Sequence, residues 1–393
     1  MTGVTRGSCV VCGGRDWAAL PDPAPQSMAS DWRILAEPLA RYACQVCGLA
    51  RRWPAPTSSE ALFAAGYALY AHAPGDARER TRQARYAAWI AEGVGDAPRR
   101  VLDVGCGNGS LLLALGDRWP DAVLEGCDPS ADSVAHGASS RVHLWQGTAA
   151  DLPKGATSDL VVSVNVIEHT ADPAAFVQGL RSAMTADGRL VLVCPDGGRP
   201  GLELLFADHV FSFTVHHLKA LLAREGLQVV TRSTAPPALG DFQMVVAQQG
   251  SVAAFSEAMP STTPSTTSST MLPPGTTGPP TDAGRSEYLQ RWRALDRQLE
   301  ARVVAPAVCF GAGEAAGLLR AYAPRTWRRL RACTVDGDVA ADATFGDLPL
   351  VALASLRADD MVLVGVRPSD QAAVGARFRA QGARVATWYD LVG

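Results

Sequence analysis

Short apolar runs alternate with longer amphipathic ones through the middle of the chain. The runs "RRVLDV", "AVLEGCD", "RVHLWQG", "SDLVVSV" and "GRLVLVCP" are each bounded by Gly, Asp or Pro, and each is too short for a helix. Between them the pattern repeats every three to four residues, around 76–93, from about Ser110, and in "VHHLKALLAREG", where Thr214 reads as the N-cap. Strands alternating with helices predict a parallel sheet with helices on both faces. In that last helix His216 and His217 are expected on the surface. Beyond about residue 250 the periodicity stops in "MPSTTPSTTSSTMLPPGTTGPPTDAG". It resumes with an amphipathic helix, "RSEYLQRWRALDRQLEARV", and a second strand, glycine loop and helix in "APAVCFGAGEAAGLLRAYA".

This rhythm divides the chain into four consecutive parts: a small domain over 1–60, an α/β domain over 61–250, a Ser/Thr/Pro-rich linker over 251–284, and a smaller α/β domain over 285–393. The chain has 393 residues and is 47% hydrophobic, enough to bury more than one core. A net charge of −3 leaves no basic excess for a phosphate backbone, so nucleic acid is an unexpected partner and a small molecule the expected one. No window approaches the ~20 unbroken apolar residues of a membrane span, and no basic stretch leads an apolar segment at the start. These features predict a cytoplasmic protein. Nothing singles out a protein partner.

In such a compartment the nine cysteines are read as thiols. Cys9 and Cys12 in "SCVVCGG", with Cys44 and Cys47 in "YACQVCGLA", form two C-x-x-C knuckles, each followed by glycine. Two knuckles aimed at one point complete a tetrahedral thiolate shell for a structural Zn²⁺; a redox dithiol is the alternative. Cys106, Cys127, Cys194, Cys309 and Cys333 are scattered and read as small core residues.

The stretch "LDVGCGNGS" carries the densest chemistry. Asp103 ends a strand, Gly105, Gly107 and Gly109 follow at every second position, and a helix begins. Glycines there let backbone approach a ligand at the carboxyl edge of a parallel sheet. The spacing acid-x-Gly-x-Gly-x-Gly differs from the dinucleotide pattern, and the next strand ends in Asp128, suited to a ribose diol. The pattern resembles the S-adenosylmethionine site of class I methyltransferases. On that reading Thr148 and Ala149 border the adenine. Asn165, Glu168 and His169, in "NVIEH", fall just past the fourth strand, and Asp208 and His209, in "FADHVFSFT", past the fifth. Two histidines distant in sequence are thus expected to converge near the cofactor's methyl group. His209 is either a satisfied histidine of an aromatic core or a base walled off from water.

With these motifs nearly the whole chain resembles the sugar C-methyltransferases of deoxysugar biosynthesis, less closely towards the C-terminus. The resemblance implies an N-terminal zinc-binding domain, a central Rossmann-like methyltransferase domain and a C-terminal Rossmann-like domain. It implies S-adenosylmethionine as cofactor and a nucleotide-linked 4-keto-deoxysugar as acceptor, methylated at carbon through an enolate. It assigns His209 as base, Asp208 as its orienting carboxylate, His169 as a second acid/base or substrate contact, and Tyr67 or Tyr70 as an active-site tyrosine. Phe206 stands where that family has a tyrosine, and Asp208 where it has a glutamate. An O- or N-methyltransferase of natural-product or surface-glycan biosynthesis is the first alternative, and a ribosomal-RNA base methyltransferase the second. In the C-terminal part Gly311, Gly313 and Ala316 match G-x-G-x-x-A, with Asp336 beyond as a ribose contact. That site is read either as holding the nucleotide of a sugar nucleotide or as a Rossmann half used only for packing.

Overall fold

The computed structural model describes residues 7–54, 77–137, 141–152, 155, 157–250 and 282–392. Tyr67, Tyr70 and residues 251–281 of the expected linker lie outside the described residues. Contacts divide the chain into two compact units: residues 1–18, 42–199 and 208–281 form one, and 19–41, 200–207 and 282–393 the other. The four ranges read from the sequence are consecutive, whereas these units are interleaved.

Strands are numbered along the whole chain. The first unit is built on β6 (Arg100–Val104), β7 (Val123–Asp128), β8 (His143–Gln146), β9 (Ser158–Val164), β10 (Met184–Pro195), β12 (Leu227–Thr234) and β13 (Phe242–Gln249). They form one sheet in the order β12-β13-β10-β9-β6-β7-β8. β6 to β10 run parallel, and β13 runs antiparallel to both its neighbours. Leu190 to Cys194 are wholly buried, which is why the fifth strand reads as a continuous apolar run and not as an alternating one. Helices α1 (Ala77–Val94), α2 (Ser110–Arg118), α3 (Ala131–His136), α4 (Pro173–Ser182) and α5 (Val215–Arg224) connect the strands. Two apolar clusters, one around Leu102, Val161 and Leu192 and one around Val101, Val162 and Val191, pack the alternate faces.

A smaller sheet in this unit contains β1 (Trp17–Ala19), β4 (Arg41–Cys44), β5 (Ala50–Arg52) and β11 (Phe211–Ser212), in the order β1-β4-β5-β11. Only the edge residues Ala19 and Arg41 fall in the other unit. β11, two residues long, was not legible in the sequence. It exists because residues 211–212 supply an antiparallel partner for Arg51 and Ala50, extended by Arg52 N–H donating to the Val210 carbonyl at 2.8 Å.

The second unit has strands β14 (Ala307–Phe310), β15 (Leu330–Val335), β16 (Thr344–Phe345), β17 (Leu348–Ala352), β18 (Met361–Val364) and β19 (Arg384–Ala386). Their order is β16-β17-β15-β14-β18-β19, with β14 central and all but β16 parallel. Helix α6 (Asp282–Arg302) buries Trp292 between Tyr322 and Trp388, whose ring centroids lie 5.8 and 5.5 Å away. Two distant segments belong here too. Arg41, fully buried, donates to the carbonyls of Leu204 and Phe206 at 2.6 and 2.8 Å, and the Tyr322 hydroxyl donates to the Leu205 carbonyl at 2.5 Å.

Candidate active site

The carboxyl ends of β6, β7 and β9 bring the sequence-predicted residues to one edge of the large sheet. Gly105, Gly107 and Gly109 all take left-handed backbone, with φ of 83°, 53° and 73°. At Gly105 the requirement is twofold, since an added Cβ would also collide with Val166 Cγ2. Asp128 is tied into this loop: its carboxylate accepts from the backbone N–H of Gly107 and of Ser130, each at 2.9 Å. Asp103 is 2% exposed, and its Oδ1 meets no hydrogen-bond donor among the described residues. Burial, with the charge of Asp128 second, pushes its pKa up to about 8. A carboxyl held near neutrality beside an open glycine turn is poised for a cationic ligand.

Asn165 takes left-handed backbone at φ 57° directly after β9, a conformation that Asn tolerates better than most residues. Its Oδ1 is buried without a hydrogen-bond partner among the described residues. Thr148 is turned inward on its own chain: its hydroxyl donates to Asp151 Oδ2 at 2.8 Å and accepts from Ala150 N–H at 3.3 Å, closing a capping box. Ala149 is buried.

The two histidines do converge. The rings of His169 and His209 stand edge to face with centroids 4.8 Å apart, both buried. His169 Nδ1 donates to the Asp208 carbonyl at 2.9 Å, and the Asp208 carboxylate is 3.7 Å from the same nitrogen. The acid expected to orient His209 thus faces His169. Sequence reasoning gave Glu168 no role, yet it is 2% exposed and lies against both imidazoles: a carboxylate oxygen, a His169 nitrogen and a His209 nitrogen all fall within 4.8 Å of one another. The signal was its adjacency to His169; a short helical turn over Ile167–His169 makes both face inward.

The four thiols of Cys9, Cys12, Cys44 and Cys47 also lie within 4.8 Å of one another, with Cys9 to Cys47 at 3.6 Å and Cys12 to Cys44 at 3.5 Å. Without a cation they cannot all ionise. The Cys47 thiol draws Cys9 down to about 5 and is itself driven far up by the same contact, while burial raises Cys12 to about 11. Four converging sulfurs with no other ligand type suit a closed tetrahedral zinc site. The remaining five cysteines are buried, as expected of core residues.

His217 corrects the expectation of a surface residue. It is 3% exposed because helical spacing sets it on the face of Leu218 and Leu221; His216 alone is exposed. Thr214 does cap α5: its hydroxyl accepts from His217 N–H, and His217 Nδ1 accepts from Thr214 N–H at 3.0 Å. His217 Nε2–H then donates to the carbonyl of Cys47 at 2.9 Å. One imidazole thus joins the helix that follows the His209 loop to the second cysteine knuckle.

In the second unit Gly311 ends β14 with φ 126°, Gly313 caps α7 (Glu314–Tyr322), and Ala316 is buried. Asp336 is held by Arg377 at 2.9 and 3.2 Å, so its carboxylate is engaged by a guanidinium.

Strand order and glycine turn together define an α/β fold of the class I methyltransferase type, and residues 78–232 match the family model described as a methyltransferase domain. Over 100 residues the chain is 32% identical to a trans-aconitate 2-methyltransferase of Mycobacterium sp. (strain KMS), covering 25% of this chain and 39% of that one. It is 35% identical over 100 residues to a ubiquinone biosynthesis O-methyltransferase of Azorhizobium caulinodans, covering 24% and 39%. Among solved structures, a mitomycin 7-O-methyltransferase superposes with a TM-score of 0.38 at 20% identity, over 44% of this chain and 54% of that one. The chain spans only about a quarter to a half of the length of the curated relatives it matches. Among the described residues no helix is long and apolar enough to cross a membrane.

Proposed function

We propose that the protein transfers a methyl group from S-adenosylmethionine to a small-molecule acceptor, with the acceptor beside His169 and His209. The observation that carries this reading is the convergence of two buried imidazoles on the sheet edge that also bears the Asp103–Gly109 turn. Asp103, Gly105, Gly107, Gly109, Asp128, Thr148, Ala149 and Asn165 would hold the cofactor. The fit rests on the unpartnered Asp103 Oδ1 and on a turn whose glycines leave room for a ligand. When bound, the cofactor supplies an electrophilic sulfonium methyl. The protein's own work is to align the acceptor and free its electrons.

The finer reading is C-methylation of a nucleotide-linked 4-keto-deoxysugar. His209 takes the proton from the carbon beside the ketone, and His169 donates toward the enolate oxygen. The Asp208 carbonyl fixes His169 with its proton on Nδ1 in the neutral ring, so this donation requires the imidazolium. The aromatic side chains of Phe211 and Phe213, both buried in this unit, exclude water from the loop. The two cysteine knuckles would hold a structural Zn²⁺. An oxygen or nitrogen acceptor is the second reading, favoured for oxygen by the matched segment of the ubiquinone biosynthesis O-methyltransferase.

The test is proton exchange in deuterated water of a panel of nucleotide-linked 4-keto-6-deoxysugars, with S-adenosylhomocysteine present. Exchange beside the ketone that disappears in His209→Ala supports C-methylation. Absence of exchange with S-adenosylhomocysteine bound sinks the enolate route for those acceptors and leaves oxygen or nitrogen. Failure to bind S-adenosylhomocysteine sinks the methyl-transfer reading itself.

A further inference from the structure

We propose that the four-thiol centre positions His209, and that Arg224 and His217, near the two ends of α5, are the positioning residues through which it acts. The inference deepens the proposed function and rests on its reading of His209 as a group beside the acceptor. Cys12 and Cys44 are 32 positions apart in the chain, yet their sulfurs lie 3.5 Å apart. Closure of the thiols on one metal ion would make the two knuckles a single body.

The segment that follows His209 is tied to both knuckles. In the first turn of α5, His217 Nε2–H donates at 2.9 Å to the carbonyl of Cys47, itself one of the four thiol residues. In its last turn Arg224 donates to the carbonyls of Val10 and Val11 at 2.9 and 3.3 Å, and these are the two residues between Cys9 and Cys12. The helix thus spans the centre. Between His209 and α5, β11 pairs with β5, which begins three residues after Cys47. Side chains follow the backbone: Cys9 and Cys44 share one apolar cluster with Val210, Phe211, Phe213 and Leu218.

Charge joins the same parts. Arg51, opposite Phe211 in the β5–β11 pair, lies over the rings of Trp17 and Trp53 at 5.1 and 4.2 Å. Burial lowers its pKa, and the charge of Cys9 opposes that change. A thiolate at the centre therefore favours the cation on the strand that holds β11.

On its other side His209 adjoins Asp208, whose carbonyl is bound by His169 Nδ1 at 2.9 Å. His209 is thus clamped between the sheet edge that carries His169 and the thiol centre. Both anchors set the 4.8 Å between the two ring centroids. Misplacing a reacting group by about 1 Å can cost on the order of a hundredfold in rate, so loosening either anchor matters to the chemistry. A centre that only stabilised the unit would loosen it evenly when weakened; a positioning centre releases His209 first.

Arg224→Met removes the donor and keeps the side-chain stem, and Arg224→Lys restores a donor. Full-length protein holding Zn²⁺ is treated with diethyl pyrocarbonate, and carbethoxylation of each histidine is followed by mass spectrometry, with the exposed His143 of β8 as internal standard. The rate at His209 is expected to rise about fivefold or more in Arg224→Met and in parent protein stripped of Zn²⁺ by a chelator, and to fall back towards the parental rate in Arg224→Lys. In Arg224→Met, S-adenosylhomocysteine binding and hydrogen exchange in β9 are expected to keep their parental values. An unchanged His209 rate in Arg224→Met, or a rise matched by equal loosening of β9, overturns the proposal; so does parent protein that takes up no Zn²⁺ at the four thiols. Failure of the parent to bind S-adenosylhomocysteine would instead fault the methyl-transfer reading, while the reactivity of His209 still decides the positioning.

Discussion

Asp103 gives the sharpest quantitative expectation, because its burial sets both a sign and a size. Its ordinary value of 3.8 is raised to about 8, chiefly by desolvation and next by Asp128. Between those two pH values the folded state holds a proton that the unfolded chain has released. Stability contributed by this group is therefore complete below about pH 4 and declines as pH rises towards 8. At ~1.4 kcal/mol per pH unit the full interval corresponds to about 5–6 kcal/mol, an upper bound that relaxation and water entry reduce. Asp103→Asn keeps the shape and removes the titration. The variant should gain stability relative to the parent between pH 6 and 8, by at least 1 kcal/mol. Urea unfolding read by hydrogen exchange of the β6 amides measures this unit directly. A difference between parent and variant that stays constant from pH 5 to 8.5 would refute the reasoning. The same site links to the ligand: a bound sulfonium stabilises the ionised carboxylate, so S-adenosylmethionine affinity in the parent should rise from pH 6 to 8 with uptake of no proton and release of a fraction of one.

Three further outcomes follow from other parts of the structure. Gly105→Ala forces a side chain into left-handed backbone against Val166 and should lower S-adenosylhomocysteine affinity at least tenfold by calorimetry, with the second unit's unfolding unchanged. His217→Ala removes a buried cap and the bond to the Cys47 carbonyl, and should cost about 2–3 kcal/mol in urea unfolding. Withdrawal of the proposed zinc by a chelator, or Cys9→Ser, should speed hydrogen exchange at residues 208–214 more than in β9, because β5 of the cysteine module pairs with β11; equal protection in both places would break that link.

How much of this was legible in the chain depends on the range over which each feature is determined. The alternation of short apolar runs and amphipathic segments gave the strands β6 to β10 and the helix starts, because strand and helix periodicity are local properties of side-chain direction. The Asp103–Gly109 turn was equally readable, since left-handed backbone favours glycine wherever the chain folds. The two C-x-x-C knuckles announced converging thiols for the same reason.

Tertiary structure decided everything that needed two distant segments to meet. The sequence led to the expectation that His169 and His209 would converge; only the fold set their rings edge to face and brought the Glu168 carboxylate close to both. It buried His217 against the Cys47 carbonyl, where the sequence pattern suggested a surface position. It also drew residues 19–41 and 200–207 into the second unit, because Arg41 and Tyr322 satisfy backbone carbonyls there that no local pattern marks. Local periodicity fixes which face of an element is apolar; what that face meets is chosen by burial and hydrogen-bond satisfaction over the whole chain.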